Sequence, residues 1–354
     1  MSFITTQHEG LAKKIGEFFG ARGSDSDLIF YDSIDDDQNV YITITPQGYP
    51  DKLKTLLQCL AIGDFNILLV TPDDKMDSLM GEMIVALEMH PEAIPLVVMG
   101  GITKMNEYLV DEMKAKLLQI IKNTSLKDRV NEIIIIQNYE TDLPAFKDRI
   151  MELAATIPDK KTGNVRILID ASFPVKGVGT VILGVVKSGT FNANEMLEMT
   201  DPSGNYKNII AKSIQMQDID QKSATQGDRV GVAIKGLKPE EISRDNMLVT
   251  KGSMEAHDEI TVKFKLSKFV KKPVDIKDKQ LYHIAIDNQV FGAVPETIEG
   301  GAEDGILKPN EEGLVRFKCE KKFSFNEENN WAIVTILEKF NGKLRILGCG
   351  PIQL

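Results

Sequence analysis

The feature that most limits the fold of this chain is a change of pattern near residue 158. Before the stretch "TIPDKKTGN", short apolar segments alternate with helical ones, which is typical of a mostly parallel sheet flanked by helices. After it the helical period disappears, and β-branched strands separated by Gly, Asn and Asp turns continue to the end. The 354 residues therefore predict an α/β domain followed by two all-β domains that suit small closed barrels.

The apolar pattern also places the elements of the first domain. Strands are predicted near 2–5, 28–32, 39–44, 66–71, 94–99 and 132–137, and helices near 10–20, 51–62, 77–90, 107–123 and 143–156. The stretch "DLIFYDSIDDDQNVYITIT" predicts a hairpin around an acidic turn. We expect domains at 1–158, 163–252 and 256–354.

Composition excludes several classes of function. The formal net charge of −10 argues against a general DNA coat, because non-specific DNA binding depends on phosphate neutralisation, but it allows an RNA held by local contacts. The longest apolar runs are too short to cross a bilayer, and the first residues lack the basic region of a signal peptide. Cys59, Cys319 and Cys349 are too scattered for a disulfide framework or a zinc cluster, so we expect a cytoplasmic protein without a metal site. We also expect a monomer.

The second domain carries the most specific pattern. It opens with "DASFPVKGVGTVILGVVKSGTF" and continues with "AKSIQMQDIDQKSATQGDRVGVAIKGLKPEEISRDNMLV". This order resembles domain two of the translational GTPases of the elongation factor Tu class, within which the archaeal elongation factor one-alpha and selenocysteine-specific branch is nearest. The resemblance covers nearly the whole chain, although it is topological rather than motif-level in the first domain. It implies a P-loop-GTPase-like, doubly wound α/β domain followed by two β-barrels, as in elongation factor Tu.

The phosphate-binding loop of such a GTPase would lie in "TTQHEGLA", residues 5–12. A working loop reads G-x-x-x-x-G-K-[ST]: backbone N–H groups wrap the phosphates, the lysine neutralises them, and the hydroxyl binds magnesium. Gly10 is retained, whereas Thr5 replaces the first glycine, Leu11 the lysine and Ala12 the hydroxyl residue. The helix N-terminus still favours an anion, but the cation that tightens triphosphate binding is missing.

The elements that would sense the terminal phosphate and the base are altered as well. At the place of the family's DxxG element the chain reads "TPQGY", with Gly48 retained and Thr45 in place of the aspartate. The guanine motif [NT]-K-x-D appears as "TKMN", with Thr103 and Lys104 retained. Asn106 replaces the carboxylate that accepts two N–H bonds from guanine, and would set a donor against a donor.

Together these changes predict a pseudo-GTPase that binds no guanine nucleotide, needs no cofactor and hydrolyses nothing. The alternative is weak or altered nucleotide binding through Gly10 and Lys104. In the first interpretation Lys104 is a structural lysine that spans neighbouring loops.

The resemblance further implies a pocket for the tRNA end in the second domain, which in the family holds the aminoacylated terminus. By motif position the candidates are Asp170, Val181, Asp228, Arg229 and Val230. A structural interpretation of equal weight makes Asp228 and Arg229 a turn-to-strand pair on the rim of the barrel.

The third domain contains a basic segment, "KFKLSKFVKKPVDIKDK", with seven lysines and two phenylalanines in residues 263–279. Lysines with interleaved aromatic residues suit an RNA backbone, so Lys268, Lys271 and Lys272 are candidate RNA contacts. A charged strand edge that blocks aggregation is the competing explanation.

Three hypotheses follow. The first is a nucleotide-independent elongation-factor homologue that binds tRNA or aminoacyl-tRNA, or the factor site of the ribosome. The second is a scaffold that retains only the fold and binds a protein, for instance another translation factor. The third is an elongation factor with weak or atypical GTP binding.

Overall fold

The computed structural model describes residues 1–5, 8–37, 39–302 and 304–353. The chain divides into two units, of which the first comprises residues 1–158 and 338–344 and the second comprises residues 159–337 and 345–354. The expected boundaries of the two barrel domains, 163–252 and 256–354, stay a prediction. Within the described residues, every helix is too short or too polar to serve as a membrane span.

In its described residues, the first unit contains a seven-stranded sheet with five α-helices. Its strands lie in the order β2-β3-β4-β1-β5-β6-β7, with β1, β4, β5, β6 and β7 parallel and β3 antiparallel to its neighbours. The elements are β1 (Ser2–Thr5), α1 (Glu9–Phe19), β2 (Ala21–Asp25), β3 (Leu28–Ile34), β4 (Val40–Pro46), α2 (Leu53–Ile62), β5 (Phe65–Val70), α3 (Ser78–Glu88), β6 (Ile94–Met99), α4 (Val110–Ile121), β7 (Ile134–Ile135) and α5 (Tyr139–Ala154).

Helix α1 shows why this domain forms a layered core. It buries Leu11, Ala12, Ile15 and Phe19, which recur at the spacing of one helical face, against Phe3 and its neighbours on the sheet. All six predicted strands and all five predicted helices are present. The α/β class expected from the alternating pattern is therefore confirmed.

Two local features differ from the sequence expectation. Strand β2 was not predicted, because its residues are polar and it exists through antiparallel pairing with β3. Helix α5 begins at Tyr139 rather than near 143, because the side chain of Asn138 accepts from the backbone N–H of Glu140 and so caps an earlier turn.

The second unit begins with a closed barrel of six strands in the order β11-β16-β8-β9-β15-β12, which closes because β12 pairs with β11. Gly177 and Gly179 take positive φ values in the tight turn between β8 and β9, where a side chain would be strained. The strands are β8 (Arg166–Val175), β9 (Gly179–Ser188), β10 (Thr190–Asn192), β11 (Glu195–Met199), β12 (Lys207–Met216), β13 (Ile219–Gln221), β14 (Ser223–Thr225), β15 (Arg229–Lys235) and β16 (Met247–Val249).

A second closed barrel follows, with six strands in the order β17-β22-β20-β19-β23-β24. Its core is rich in aromatic residues, and the rings of Phe291 and Phe323 stack 4.7 Å apart. The strands are β17 (Glu255–Leu266), β18 (Val274–Asp275), β19 (Tyr282–Ile286), β20 (Gln289–Glu299), β21 (Ile306–Leu307), β22 (Glu312–Phe325), β23 (Trp331–Thr335) and β24 (Ile346–Gln353). The predicted architecture, an α/β domain followed by two β-barrels, is therefore confirmed, and each barrel has six strands.

Buried polar contacts join the two barrels within the second unit. Nη1 of Arg166 lies 3.5 Å from Oδ2 of Asp287, and each side chain is only 9% exposed. The amide of Asn288 donates to the carbonyl of Ile169 at 3.1 Å. Because these groups are shielded from water, their pairing fixes one barrel against the other.

Candidate functional site

The candidate site lies where the parallel strands β1, β5 and β6 end, the edge at which open α/β sheets bind their ligands. The loops after these strands lead into α1, α3 and α4. Thr5 ends β1, and residues 6 and 7 of the expected phosphate loop lie outside the described residues. Gly10 is exposed in the first turn of α1, beside the acidic Glu9.

The positions that correspond to the phosphate lysine and the magnesium hydroxyl point into the core. Leu11 is 7% exposed and Ala12 is 1% exposed, and both belong to the apolar cluster between α1 and the sheet. A Cβ atom built on Gly100 would come 2.8 Å from Cδ1 of Leu11, so this side chain packs directly on the end of β6. Neither position offers a cation or a hydroxyl to a ligand.

A histidine and an aspartate join the loops that follow β1 and β5. Nε2 of His8, at the start of α1, lies 2.8 Å from Oδ1 of Asp74 and 3.2 Å from Oγ1 of Thr71. The second oxygen of Asp74 accepts from the backbone N–H of Thr71 at 2.7 Å. The hydrogen bond to Asp74 is the main reason that the pKa of His8 lies above its ordinary value.

Side-chain hydrogen bonds also hold the loop after β6, which contains the guanine motif. Oδ1 of Asn106 accepts from the backbone N–H of Thr103 at 2.7 Å. Its amide nitrogen donates to Oδ1 of Asp73 at 3.0 Å and to the carbonyl of Gly101 at 3.2 Å. This amide lowers the pKa of Asp73. Lys104 is exposed and makes no ion pair within the described residues.

These contacts form a set that we name the His8 cluster, composed of His8, Thr71, Asp73, Asp74 and Asn106. It ties together the loops after β1, β5 and β6, of which the first and third would carry the phosphate-binding loop and the guanine motif in a GTPase. It also brings two carboxylates to this edge of the sheet. The sequence pattern singles out only Asn106 among its members. An acidic pair directly after a buried strand, with a histidine directly after the neighbouring strand, is the signal that would have found the rest.

The loop that corresponds to DxxG is anchored elsewhere. Thr45 is buried near the end of β4, and Gly48 takes a φ of 78° in the following turn. The hydroxyl of the next residue, Tyr49, donates to Oε1 of the fully buried Glu82 on α3 at 3.2 Å. Tyr49 is therefore fixed to a helix.

In the second domain, part of the expected pocket comes together. Nη2 of Arg229 lies 3.4 Å from Oδ2 of the buried Asp170, and Nη2 of Arg244 lies 3.7 Å from its Oδ1. Arg244, which the motif does not mark, also donates from Nε to the carbonyl of Asp170 at 3.1 Å. Two guanidinium groups thus converge on one carboxylate, an arrangement that also suits an anionic ligand group.

The remaining pocket candidates take separate positions. Asp228 accepts from the backbone N–H of Thr225 at 2.7 Å, and burial raises its pKa. Val230 packs in the core of the barrel, whereas Val181 is partly exposed on β9. Asp228 thus stabilises the turn before β15, while its neighbour Arg229 faces Asp170.

The basic segment of the third domain divides into two kinds of lysine. On the barrel wall, Lys263 faces Glu312 at 3.0 Å. Lys268, Lys271 and Lys272 lie in the loop between β17 and β18, together with the exposed Phe269, over whose ring the ammonium group of Lys268 lies at 5.1 Å. Within the described residues, neither Lys271 nor Lys272 has a carboxylate partner.

No set of three acidic, histidine or cysteine side chains in the described part of the chain is arranged to hold a metal ion. What the chemistry of these regions offers is therefore a loop edge closed by the His8 cluster, a paired-arginine site in one barrel, and a basic aromatic loop in the other.

Comparison with known proteins agrees with this architecture. No family model matches the chain. An uncharacterised protein of Methanocaldococcus jannaschii is 26% identical over 352 residues, which covers 99% of this chain and all of that one. The selenocysteine-specific elongation factor of the same organism is 25% identical over 341 residues, covering 94% of this chain and 71% of its own length.

Solved structures show the same fold. Translation elongation factor SelB from Methanococcus maripaludis, in complex with a GTP analogue, superposes with a TM-score of 0.79 at 20% identity, covering all of this chain and 78% of that one. Its apo form gives a TM-score of 0.76 at 21% identity, with the same coverage of both chains. In sequence and in fold the chain therefore resembles the translational GTPases of the selenocysteine-specific elongation factor class.

Proposed function

We propose that this protein is an elongation-factor-like pseudo-GTPase that binds tRNA without binding or hydrolysing GTP. The observation that carries the proposal is the packing of Leu11 on Gly100 in the core, at the position where a phosphate-binding loop needs a lysine. A buried leucine supplies no charge, and a triphosphate without a neutralising cation or a magnesium ligand is held poorly.

The His8 cluster supports the part of this proposal that concerns nucleotide binding. A guanine base would have to displace Asn106 from Asp73 and from the backbone of Thr103, and an amide cannot replace the two acceptor contacts of a carboxylate. The carboxylates of Asp73 and Asp74 would then repel phosphates that approach the same edge.

The two barrels supply groups that suit an RNA. Of the two arginines that converge on Asp170, Arg229 lies at a motif position of the tRNA-end pocket and Arg244 adds a second guanidinium beside it. The loop of Lys268, Lys271 and Lys272 adds positive charge beside an exposed ring. Phosphate contacts from lysine and stacking on aromatic rings are the usual elements of RNA binding that does not read sequence. A role in translation would place the protein in the cytoplasm.

A nucleotide titration tests the first half of the proposal. We expect no saturable association of GTP, GDP or ATP with magnesium at micromolar concentrations, and no phosphate release from GTP. The variant Lys104→Ala serves as the control. If nucleotide binds and the binding disappears in Lys104→Ala, the protein is an atypical nucleotide-binding factor and the proposal fails.

Filter binding with aminoacylated and uncharged tRNA tests the second half. We expect association with tRNA in the absence of any nucleotide, with unchanged affinity when GTP is added. A preference for the aminoacylated form would assign the site of Asp170 and Arg229 to the charged end. Absence of binding to either form would end the proposal.

A second function, that of a protein scaffold, is favoured by one observation: Met105 and Tyr108 project from the first unit into solvent. A partner that is retained after ribonuclease treatment and lost on substitution of these two residues would support it. The two functions do not exclude each other, since the RNA candidates lie in the barrels.

A further inference from the structure

Two apolar side chains in the loop after β6 are unusually exposed. Met105 is 86% exposed and Tyr108 is 76% exposed, more than any other large apolar side chain in the described residues. They lie three residues apart, where the chain passes from the "TKMN" turn into the 3-10 turn Glu107–Leu109. Met105 precedes the 3-10 turn and Tyr108 lies within it, so both belong to the short loop segment before α4.

The turn that carries these side chains is held in place by hydrogen bonds. Oγ1 of Thr103 accepts from the backbone N–H of Met105 at 3.2 Å, and Oδ1 of Asn106 accepts from that of Thr103 at 2.7 Å. Asn106 is also bonded to Asp73 in the preceding loop. A partner therefore meets apolar groups on an ordered turn, and the entropy that binding must remove is reduced.

Charge defines the kind of partner. The first unit, residues 1–158 and 338–344, contains 16 Lys and Arg against 26 Asp and Glu, whereas the second contains 26 against 26. The negative charge of the protein thus resides in the first unit. Glu107 lies between the two apolar residues in sequence and Asp111 follows Tyr108 by three residues. Both are exposed, and within the described residues neither has a basic partner. Lys104 is the basic residue adjacent in sequence.

We propose that Met105, Tyr108, Glu107 and Asp111, which we name the Met105 surface, bind a basic segment of another protein. Such a segment presents apolar side chains to Met105 and Tyr108 and places flanking Lys or Arg against Glu107 and Asp111. Exposed apolar patches rimmed by charge are typical of protein–protein sites, and a nucleic acid is disfavoured because its phosphates would meet carboxylates. The inference goes beyond tRNA binding and does not depend on it.

The test uses the full chain and a fluorescein-labelled synthetic peptide in which leucines alternate with pairs of lysines. Two control peptides carry glutamate in place of lysine, or serine in place of leucine. Fluorescence anisotropy is expected to show saturable binding of the first peptide and at least about tenfold weaker binding of each control.

Matched variants locate the binding. The double variant Met105→Ser with Tyr108→Ser is expected to bind the peptide about tenfold more weakly or worse. The control Met196→Ser with Ile219→Ser changes two exposed apolar residues on the first barrel and should leave the affinity for the peptide unchanged.

A charge reversal completes the set. Glu107→Lys with Asp111→Lys is expected to lower the affinity for the basic peptide far more than Asp36→Lys with Asp37→Lys. The second pair makes the same change of net charge on an exposed turn of the same unit.

Several results would overturn the proposal. One is equal binding of the three peptides; another is equal loss in both charge reversals, which would mean unspecific attraction to an acidic domain. A serine pair at Met105 and Tyr108 that weakens tRNA and leaves the basic peptide unaffected would assign the surface to RNA. Circular dichroism and urea unfolding of each variant separate loss of binding from loss of folding.

Discussion

Nε2 of His8 lies 2.8 Å from Oδ1 of Asp74, across the edge at which β1 and β5 end side by side. The histidine stands at the first residue before α1, where a charged imidazolium is opposed by the positive end of the helix dipole. The aspartate outweighs that effect, because the pKa of His8 is raised mainly by their hydrogen bond. A side-chain pair therefore joins the expected phosphate-binding loop after β1 to the loop after β5.

The first prediction concerns the pH dependence of this pair. Because the pKa of His8 is higher in the folded than in the unfolded protein, its stabilising effect is complete below an unfolded value of about 6.5 and is lost as pH rises through the folded value. Urea unfolding should therefore show a larger deficit for His8→Gln at about pH 5.5 than at about pH 9.

The control for this prediction is Asp74→Asn, in which NMR titration should show a lower pKa for His8 than in the wild type. A deficit of His8→Gln that is the same at both pH values would contradict the assigned role of the ion pair.

The second prediction concerns Leu11. Leu11→Lys restores the residue type of a phosphate-binding loop but places an ammonium group against Gly100 in the apolar cluster. We expect the free energy of unfolding to fall by about 3 kcal/mol and nucleotide affinity to stay absent. Urea unfolding and nucleotide titration measure the two effects.

Leu11→Met is the matched control, since a swap of similar volume should cost less than about 1.5 kcal/mol. If Leu11→Lys were as stable as the wild type and bound GTP, the lysine side chain would reach a phosphate site. That result would contradict the assignment of position 11 to the core.

The third prediction concerns the guanine motif. Asn106→Asp recreates the family's carboxylate, yet that carboxylate would face Asp73, to which Asn106 now donates at 3.0 Å. We expect a loss of stability of roughly 1 kcal/mol and no gain in guanine nucleotide affinity. The double variant with Asp73→Asn should recover the stability, and a double-mutant cycle measures the coupling. Additive effects of the two substitutions would show that the contact contributes nothing.

Much of the fold follows from local pattern. Helix α1 and strand β6 lie within a residue of their predicted bounds, because an apolar face at helical spacing and a short apolar run specify them. Strand β2 was not predicted, because its polar residues do not favour a strand and its conformation depends on antiparallel pairing with β3. The burial of Leu11 and Ala12 also follows from the helical period.

The contacts of the candidate site are harder to predict from the sequence. The bond between His8 and Asp74 spans residues far apart in sequence and depends on how two loops lie after folding. The same holds for Arg244, which approaches Asp170 from outside the motif that marks Arg229. Composition and spacing place such residues on neighbouring strand ends, but only the packed loops decide which atoms meet.

The fourth prediction concerns the junction of the barrels. Asp287 faces the buried Arg166 and also accepts from Asn329. Asp287→Asn keeps a residue type that tolerates the φ of 50° found there and removes the charge, which leaves Arg166 without its ion pair. We expect a loss of roughly 3 kcal/mol in urea unfolding, followed through the fluorescence of Trp331.

The comparison for this variant is Asp258→Asn, which removes the carboxylate from an exposed pair with Lys318. That change should leave the unfolding curve unaltered, because exposed ion pairs contribute little. Equal effects of the two substitutions would show that burial of the pair between Arg166 and Asp287 contributes nothing to the free energy of unfolding.

The last prediction concerns the loop between β17 and β18. If Lys271 and Lys272 each neutralise one phosphate of a bound tRNA, replacing both with alanine removes two counterion-releasing contacts. The slope of log affinity against log salt concentration should then become shallower by about 1.5, and the weakening should be similar for aminoacylated and uncharged tRNA. Lys318→Ala is the control, because Lys318 already pairs with Asp258 and Glu259 on the barrel wall. An unchanged slope in the double variant would remove this loop from the RNA interface.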